Sequence, residues 1–152
     1  MFAGLRQPAR IFTVLATCAT VTLASGCAQQ RYDPDLAARP YPRDLHTTET
    51  AAMQVFRDGP WLEVVNATPE TYRDVDVWVN QRYMKSVDAI PAGQRVRLSL
   101  WEFFDHRGET PVAGGLWRTD PPTPVRLVQL QPDEDEPLVG LITIRPAADD
   151  DR

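Results

Sequence analysis

The chain reads as all-β: a small immunoglobulin-like β-sandwich, with a small β-barrel as the alternative, over residues 53–146. Three observations predict this. Apolar residues recur at every second position in several short runs, and turn-forming residues interrupt those runs at short intervals. No window after residue 53 carries a sustained helical stripe. Short strands punctuated in this way are the pattern of a sandwich or barrel. A segment of this size can bury one small core but not two.

The elements follow in order. Met53-Gln54-Val55-Phe56 and Trp61-Leu62-Glu63-Val64-Val65 flank Asp58-Gly59-Pro60, a turn signal between strand-like runs. Residues 74–79 place Val75, Val77 and Val79 on one face, with Asp76 and Trp78 on the other. Residues 95–100 alternate as cleanly, so Leu98 is expected to share the core with Val77 while Arg97 faces solvent. Residues 125–130 and 138–144 are two further β-branched runs. Punctuating residues lie between them at 66–69, 80–81, 91–93, 105–108, 114–115, 120–124 and 133–137. The nearest approach to a helical stripe, residues 100–104, is too short to prefer a helix.

Upstream, residues 1–10 carry Arg6 and Arg10 and no acid, and residues 11–25 carry no charge. This is the layout of a secretory signal peptide. A membrane-spanning helix needs about 20 predominantly apolar residues, and the stretch from Ile11 to Ser25 is shorter and rich in threonine. It ends in Leu23-Ala24-Ser25-Gly26-Cys27, which resembles the processing site of bacterial lipoproteins. The resemblance implies that Cys27 is acylated, palmitate included, and becomes the new N-terminus. Ordinary signal-peptidase cleavage near Ala24 is the plainer alternative. Leu15-Ala16-Thr17-Cys18 fits less well, because threonine suits the position before the cysteine poorly. In a two-membrane bacterium the same resemblance implies transfer to the outer membrane, since Ala28 stands where aspartate is the usual inner-membrane retention signal.

The expected organisation is therefore a signal peptide over 1–26, a lipidated cysteine and flexible Pro-containing tether over 27–52, the β-domain over 53–146, and an acidic disordered tail over 147–152. Cys18 leaves with the signal and Cys27 carries lipid, so no thiol remains for a disulfide, a metal or a nucleophile. Processing leaves 14 basic against 21 acidic residues, a net charge of −7 with histidines neutral. Such a surface argues against nucleic acid and against an electrostatic hold on anionic lipid.

A wider resemblance rests on an ordered set of pieces. These are Gln54-Val55-Phe56-Arg57, Asn66-Ala67-Thr68, Val77-Trp78-Val79-Asn80, Pro91-Ala92-Gly93-Gln94, Phe103-Phe104-Asp105 with Gly108-Glu109, and Ala113-Gly114-Gly115. The set is similar to a group of small uncharacterised bacterial lipoproteins. It implies a lipoprotein signal followed by one β-rich domain, and no activity.

The residues that could carry chemistry point away from catalysis. His46 lies in the expected tether and His106 in Asp105-His106-Arg107-Gly108, a solvated β-turn with Asp first and Gly last. Ser86 and Ser99 are the two serines after Cys27, Ser99 sits in a strand with no neighbouring base, and no Gly-x-Ser-x-Gly is present. Asp133-Glu134-Asp135-Glu136 lacks the ligand spacing and turn glycine of a calcium loop, and reads as a solvated loop. No catalytic residue, metal or cofactor is expected. Asn66-Ala67-Thr68 fits a glycosylation acceptor formally, but Pro69 and bacterial export make Asn66 a strand-end turn residue. The aromatic residues are the best candidates for binding. Trp78, opposite the valine row, with Tyr83 and Trp101, could stack on sugar rings or anchor an envelope protein. The alternative is that a loop covers Trp78. The expectation is a lipid-anchored, non-catalytic interaction or structural module, or else a glycan-binding module.

Overall fold

The computed structural model describes residues 31–114 and 121–144; the expected signal peptide, Cys27 and the expected acidic tail lie outside the described residues. Seven strands form one mixed sheet. They are β1 (His46–Asp58), β2 (Trp61–Asn66), β3 (Tyr72–Val79), β4 (Tyr83–Ile90), β5 (Arg95–Ser99), β6 (Val128–Gln131) and β7 (Leu138–Ile144), in the spatial order β4-β3-β6-β7-β1-β2-β5. Every neighbouring pair is antiparallel except β1 and β7, which run parallel. No α-helix occurs among the described residues, and the helical pattern at 100–104 is a single 3-10 turn, Leu100–Glu102.

The turns follow from local chemistry. Gly59, at φ +56°, lets the chain reverse between β1 and β2. Asn80 and Gln81 both have positive φ, 55° and 56°, as a type I′ hairpin turn between β3 and β4 requires. Asn80 tolerates that geometry and also works across the fold. Its amide donates to the Pro124 carbonyl at 2.7 Å and accepts from the backbone N–H of Arg126 and Leu127, fixing the entry to β6.

The sheet curls around one core. Val55, Leu62, Val64, Val77, Leu98, Leu130 and Leu141 are buried together, so the valine row of β3 and Leu98 of β5 face inward as their alternation requires. The edge strands β4 and β5 come nearly together, leaving the sheet almost closed as a barrel. After β5 the chain turns through Leu100–Glu102, and Phe104 bridges back to Met84 on β4 with bonds of 2.9 and 3.0 Å.

Asn66 closes the far end of β2. It is fully buried, and its amide nitrogen donates to the carbonyls of Glu70, Ile90 and Pro91 while its oxygen accepts from the N–H and hydroxyl of Thr68. This is the turn role expected of it.

Two boundaries differ from the sequence reading. β1 begins at His46 rather than near 53, because its first half is held by parallel pairing with β7 and buries no large apolar side chain there. β4 has no counterpart among the alternating runs: its buried positions, Tyr83, Val87 and Ile90, are not spaced by two.

Candidate functional site

Residues 31–45, expected to be part of a flexible tether, lie docked on the domain as a strap, and this corrects that expectation. The strap enters beside the turn at 105–108. Arg31 N–H donates to Thr110 Oγ1 at 3.1 Å, and Thr110 N–H returns a bond to the Arg31 carbonyl at 2.9 Å. Asp33 N–H donates to the Gly108 carbonyl at 2.8 Å and Ala38 N–H to the Asp105 carbonyl at 2.9 Å. Gly108 makes this approach possible. Its φ is +81°, and a Cβ there would stand 2.1 Å from the Asp33 carbonyl oxygen.

The strap then crosses the outer face of β3 and β6. Arg39 donates to Asp76 Oδ2 at 2.7 Å and Gln131 Oε1 at 2.8 Å, with its guanidinium 5.0 Å from the Trp78 ring centre. Tyr41 meets Trp78 edge-on at 5.3 Å and donates its hydroxyl to Gln129 Oε1 at 2.7 Å. His46 Nδ1 completes a cluster with the Tyr41 hydroxyl and the Gln129 amide. Trp78 Nε1 donates to Gln131 Oε1 at 3.1 Å. Buried Gln129 and Gln131 therefore have their polar groups matched, as burial demands.

Trp78 is 0% exposed. The alternation placed it on the outer face correctly, but that face is covered. Tyr83 is also buried, with Arg82 stacked 4.8 Å from its ring centre, and Trp101 is half-buried against the core. The three aromatics singled out as a binding surface thus form no exposed face, and the stacking platform that a sugar ring needs is not built from them.

A different feature opens where the strap passes the 105–108 turn. Tyr41, Arg43, Gln81, Arg82, His106 and Arg107 line a groove of about 630 Å³, with Asp105 at its base. Asp105 begins the β-turn expected of it, with Gly108 N–H on its carbonyl at 3.0 Å, but its side chain is not solvated. It is 0% exposed. Oδ1 accepts from the N–H of Arg107 and Glu109, both at 2.9 Å, and Oδ2 accepts from Arg82 Nε and Nη2 at 2.9 and 2.7 Å. Burial pushes the carboxyl pKa upward, but the Glu109 and Arg107 N–H groups and the guanidinium outweigh it and hold the group below its usual range. Its contribution to stability is therefore present above the ordinary carboxylate range and lost as pH falls through the lower folded value. Burial raises the pKa of Tyr41, so its hydroxyl stays a donor at neutral pH.

Arg82 is committed to Asp105 and Glu109, at 2.7 and 2.6 Å. Arg43 and Arg107 are exposed, and no ion pair engages either among the described residues. Guanidinium forks of this kind match carboxylate and phosphate oxygens. The groove was not legible in the sequence because its members come from three separate segments, of which only the Asp105–Gly108 turn stood out, as a solvated one. Asp133–Glu136 is an exposed loop whose Glu134 and Glu136 carbonyls accept from Gln131 Nε2. No group of three or more His, Cys, Asp or Glu among the described residues is arranged to hold a metal ion.

Compared with known protein families, curated proteins and solved structures, the chain matches none.

Proposed function

We propose that the chain is a lipid-anchored, non-catalytic protein of the bacterial cell envelope, acting as an interaction or structural module. The observation that carries this reading is Leu23-Ala24-Ser25-Gly26-Cys27 after an uncharged run that follows Arg6 and Arg10. Cys27 is the acylated N-terminus, and in a two-membrane bacterium Ala28 directs the protein to the periplasmic face of the outer membrane. One continuous seven-stranded sheet, almost closed on itself, is compatible with both expected architectures, the small immunoglobulin-like sandwich and the small β-barrel. At His46 and Thr50 the long β1 strand pairs only with β7, and from Met53 onward it pairs with β2 as well. The groove of Tyr41, Arg43 and Arg107 takes the place of the buried aromatics as the surface for a partner bearing anionic oxygens.

Cys27→Ser tests the anchor. One acyl chain gives only marginal membrane binding and stable attachment takes more, so a lipoprotein depends on its cysteine entirely. The variant is expected to leave the membrane fraction, or to stay there only as an uncleaved precursor of increased mass. A Cys27→Ser protein in the membrane fraction at its normal apparent mass contradicts the reading.

A further inference from the structure

We propose that the end of the domain carrying the Asp105–Gly108 turn rests directly on the phospholipid surface that holds the Cys27 lipid. This rests on the lipoprotein reading of Cys27 and adds an orientation to it. A flexible tether would leave the domain free to stand off and turn. The strap removes that freedom, because the chain is fixed to the domain from Arg31 onward by its bonds to Thr110 and Gly108. Cys27 precedes Arg31 by four residues, which reach at most about 14 Å when fully extended. The surface beside Thr110 and Gly108 therefore cannot leave the neighbourhood of the acylated residue while the strap is docked.

The topology says which end this is. Asp105 is held by Arg82, just after the Asn80-Gln81 turn between β3 and β4. Arg57, near the end of β1, donates to the carbonyls of Ala113 and Thr123. Residues 105–114 therefore cap the end at which β1 and β3 finish. The loop between β6 and β7, with Asp133–Glu136 exposed, lies at the opposite end, where β6 finishes and β7 begins. β3 and β6 pair from Val79 and Val128 to Asp76 and Gln131, so the 133–136 loop begins about 10 Å along the strands from the Asn80-Gln81 end and extends away from it.

The surface chemistry fits the placement. Tyr32 and Leu36 are 65% and 47% exposed, and both sit on the strap within ten residues of Cys27. A tyrosine and a leucine there suit the polar–apolar boundary of a bilayer. Charge alone does not decide it: Arg31, Arg43 and Arg107 are offset by Asp33, Asp35 and Asp44 on the strap. Tether length and the two apolar side chains set the contact, and the acidic 133–136 loop points away from anionic lipid.

The mature chain has no thiol besides Cys27, so an introduced cysteine labels cleanly. Full-length protein carrying Arg107→Cys or Asp135→Cys, extracted from membranes with its lipid, is labelled with a fluorophore. It is then reconstituted into phosphatidylethanolamine–phosphatidylglycerol vesicles containing a headgroup-nitroxide lipid. Quenching is expected to be several-fold stronger at position 107 than at 135. Adding Gly108→Val, which cannot accommodate Asp33, should undock the strap and bring the two positions close together. Acylated protein quenched equally at both positions without Gly108→Val overturns the placement alone. Strong quenching at 107 that survives Gly108→Val overturns the strap as its cause. Extracted protein without acyl groups on Cys27 overturns the lipoprotein reading, and the placement with it.

Discussion

Trp78→Ala is expected to destabilise the domain by about 3–5 kcal/mol, the usual cost of removing a buried large aromatic. Trp78 is fully buried between the sheet and the strap, where it supports the Tyr41 ring and the Arg39 guanidinium and donates to Gln131. Truncation removes all three interactions and leaves a cavity that the strap can close only by shifting. A domain of this size loses roughly 4–8 °C of melting temperature per kcal/mol, so the midpoint should fall by well over about 10 °C. The folded fraction of the variant should also become more susceptible to tryptic cleavage in the strap, at Arg43. A melting temperature close to that of the parent protein would mean that the strap does not cover this face in solution.

Leu98→Ala carries the second large effect. Leu98 pairs with Leu62 across β2 and β5 and is buried in the central cluster. The expected loss is about 2–5 kcal/mol, much of what a small domain has. Arg97, one residue away, lies on the opposite face. It reaches Asp58 at 2.6 Å and stacks on Trp61 at 5.0 Å, both at the surface. Exposed pairs of this kind contribute up to about 1 kcal/mol, so Arg97→Ala should barely move the denaturation midpoint. Comparable losses from the two substitutions would place β5 in the wrong register, because a slip of one residue exchanges its faces.

What was legible in the sequence was whatever the two-residue period could express. Residues 74–79 and 95–100 announced both their strands and their inward faces, since a valine or leucine row alternates with charged residues there. The first half of β1 was silent because it buries no large apolar side chain and exists through pairing with β7, some ninety residues away. β4 was silent because it is an edge strand whose buried residues are irregularly spaced. Trp78 shows the limit most sharply. Alternation fixes which face a side chain takes, but not whether a distant segment later covers that face. The cover here is a Pro-containing stretch held by backbone hydrogen bonds, Arg39 and Tyr41, which has no periodicity to read. Asp105 was placed in its turn correctly, yet its burial depends on Arg82 and on the strap, neither of which is local to it.

The anchor and the orientation both depend on where the mature chain begins and what it carries there. Intact-mass analysis of protein extracted from the membrane fraction measures both at once. The expected mass is that of residues 27–152 plus the acyl groups on Cys27, with the lipid recovered on the N-terminal peptide. An unmodified chain beginning near Ser25 would contradict the anchor and the membrane-facing orientation derived from it.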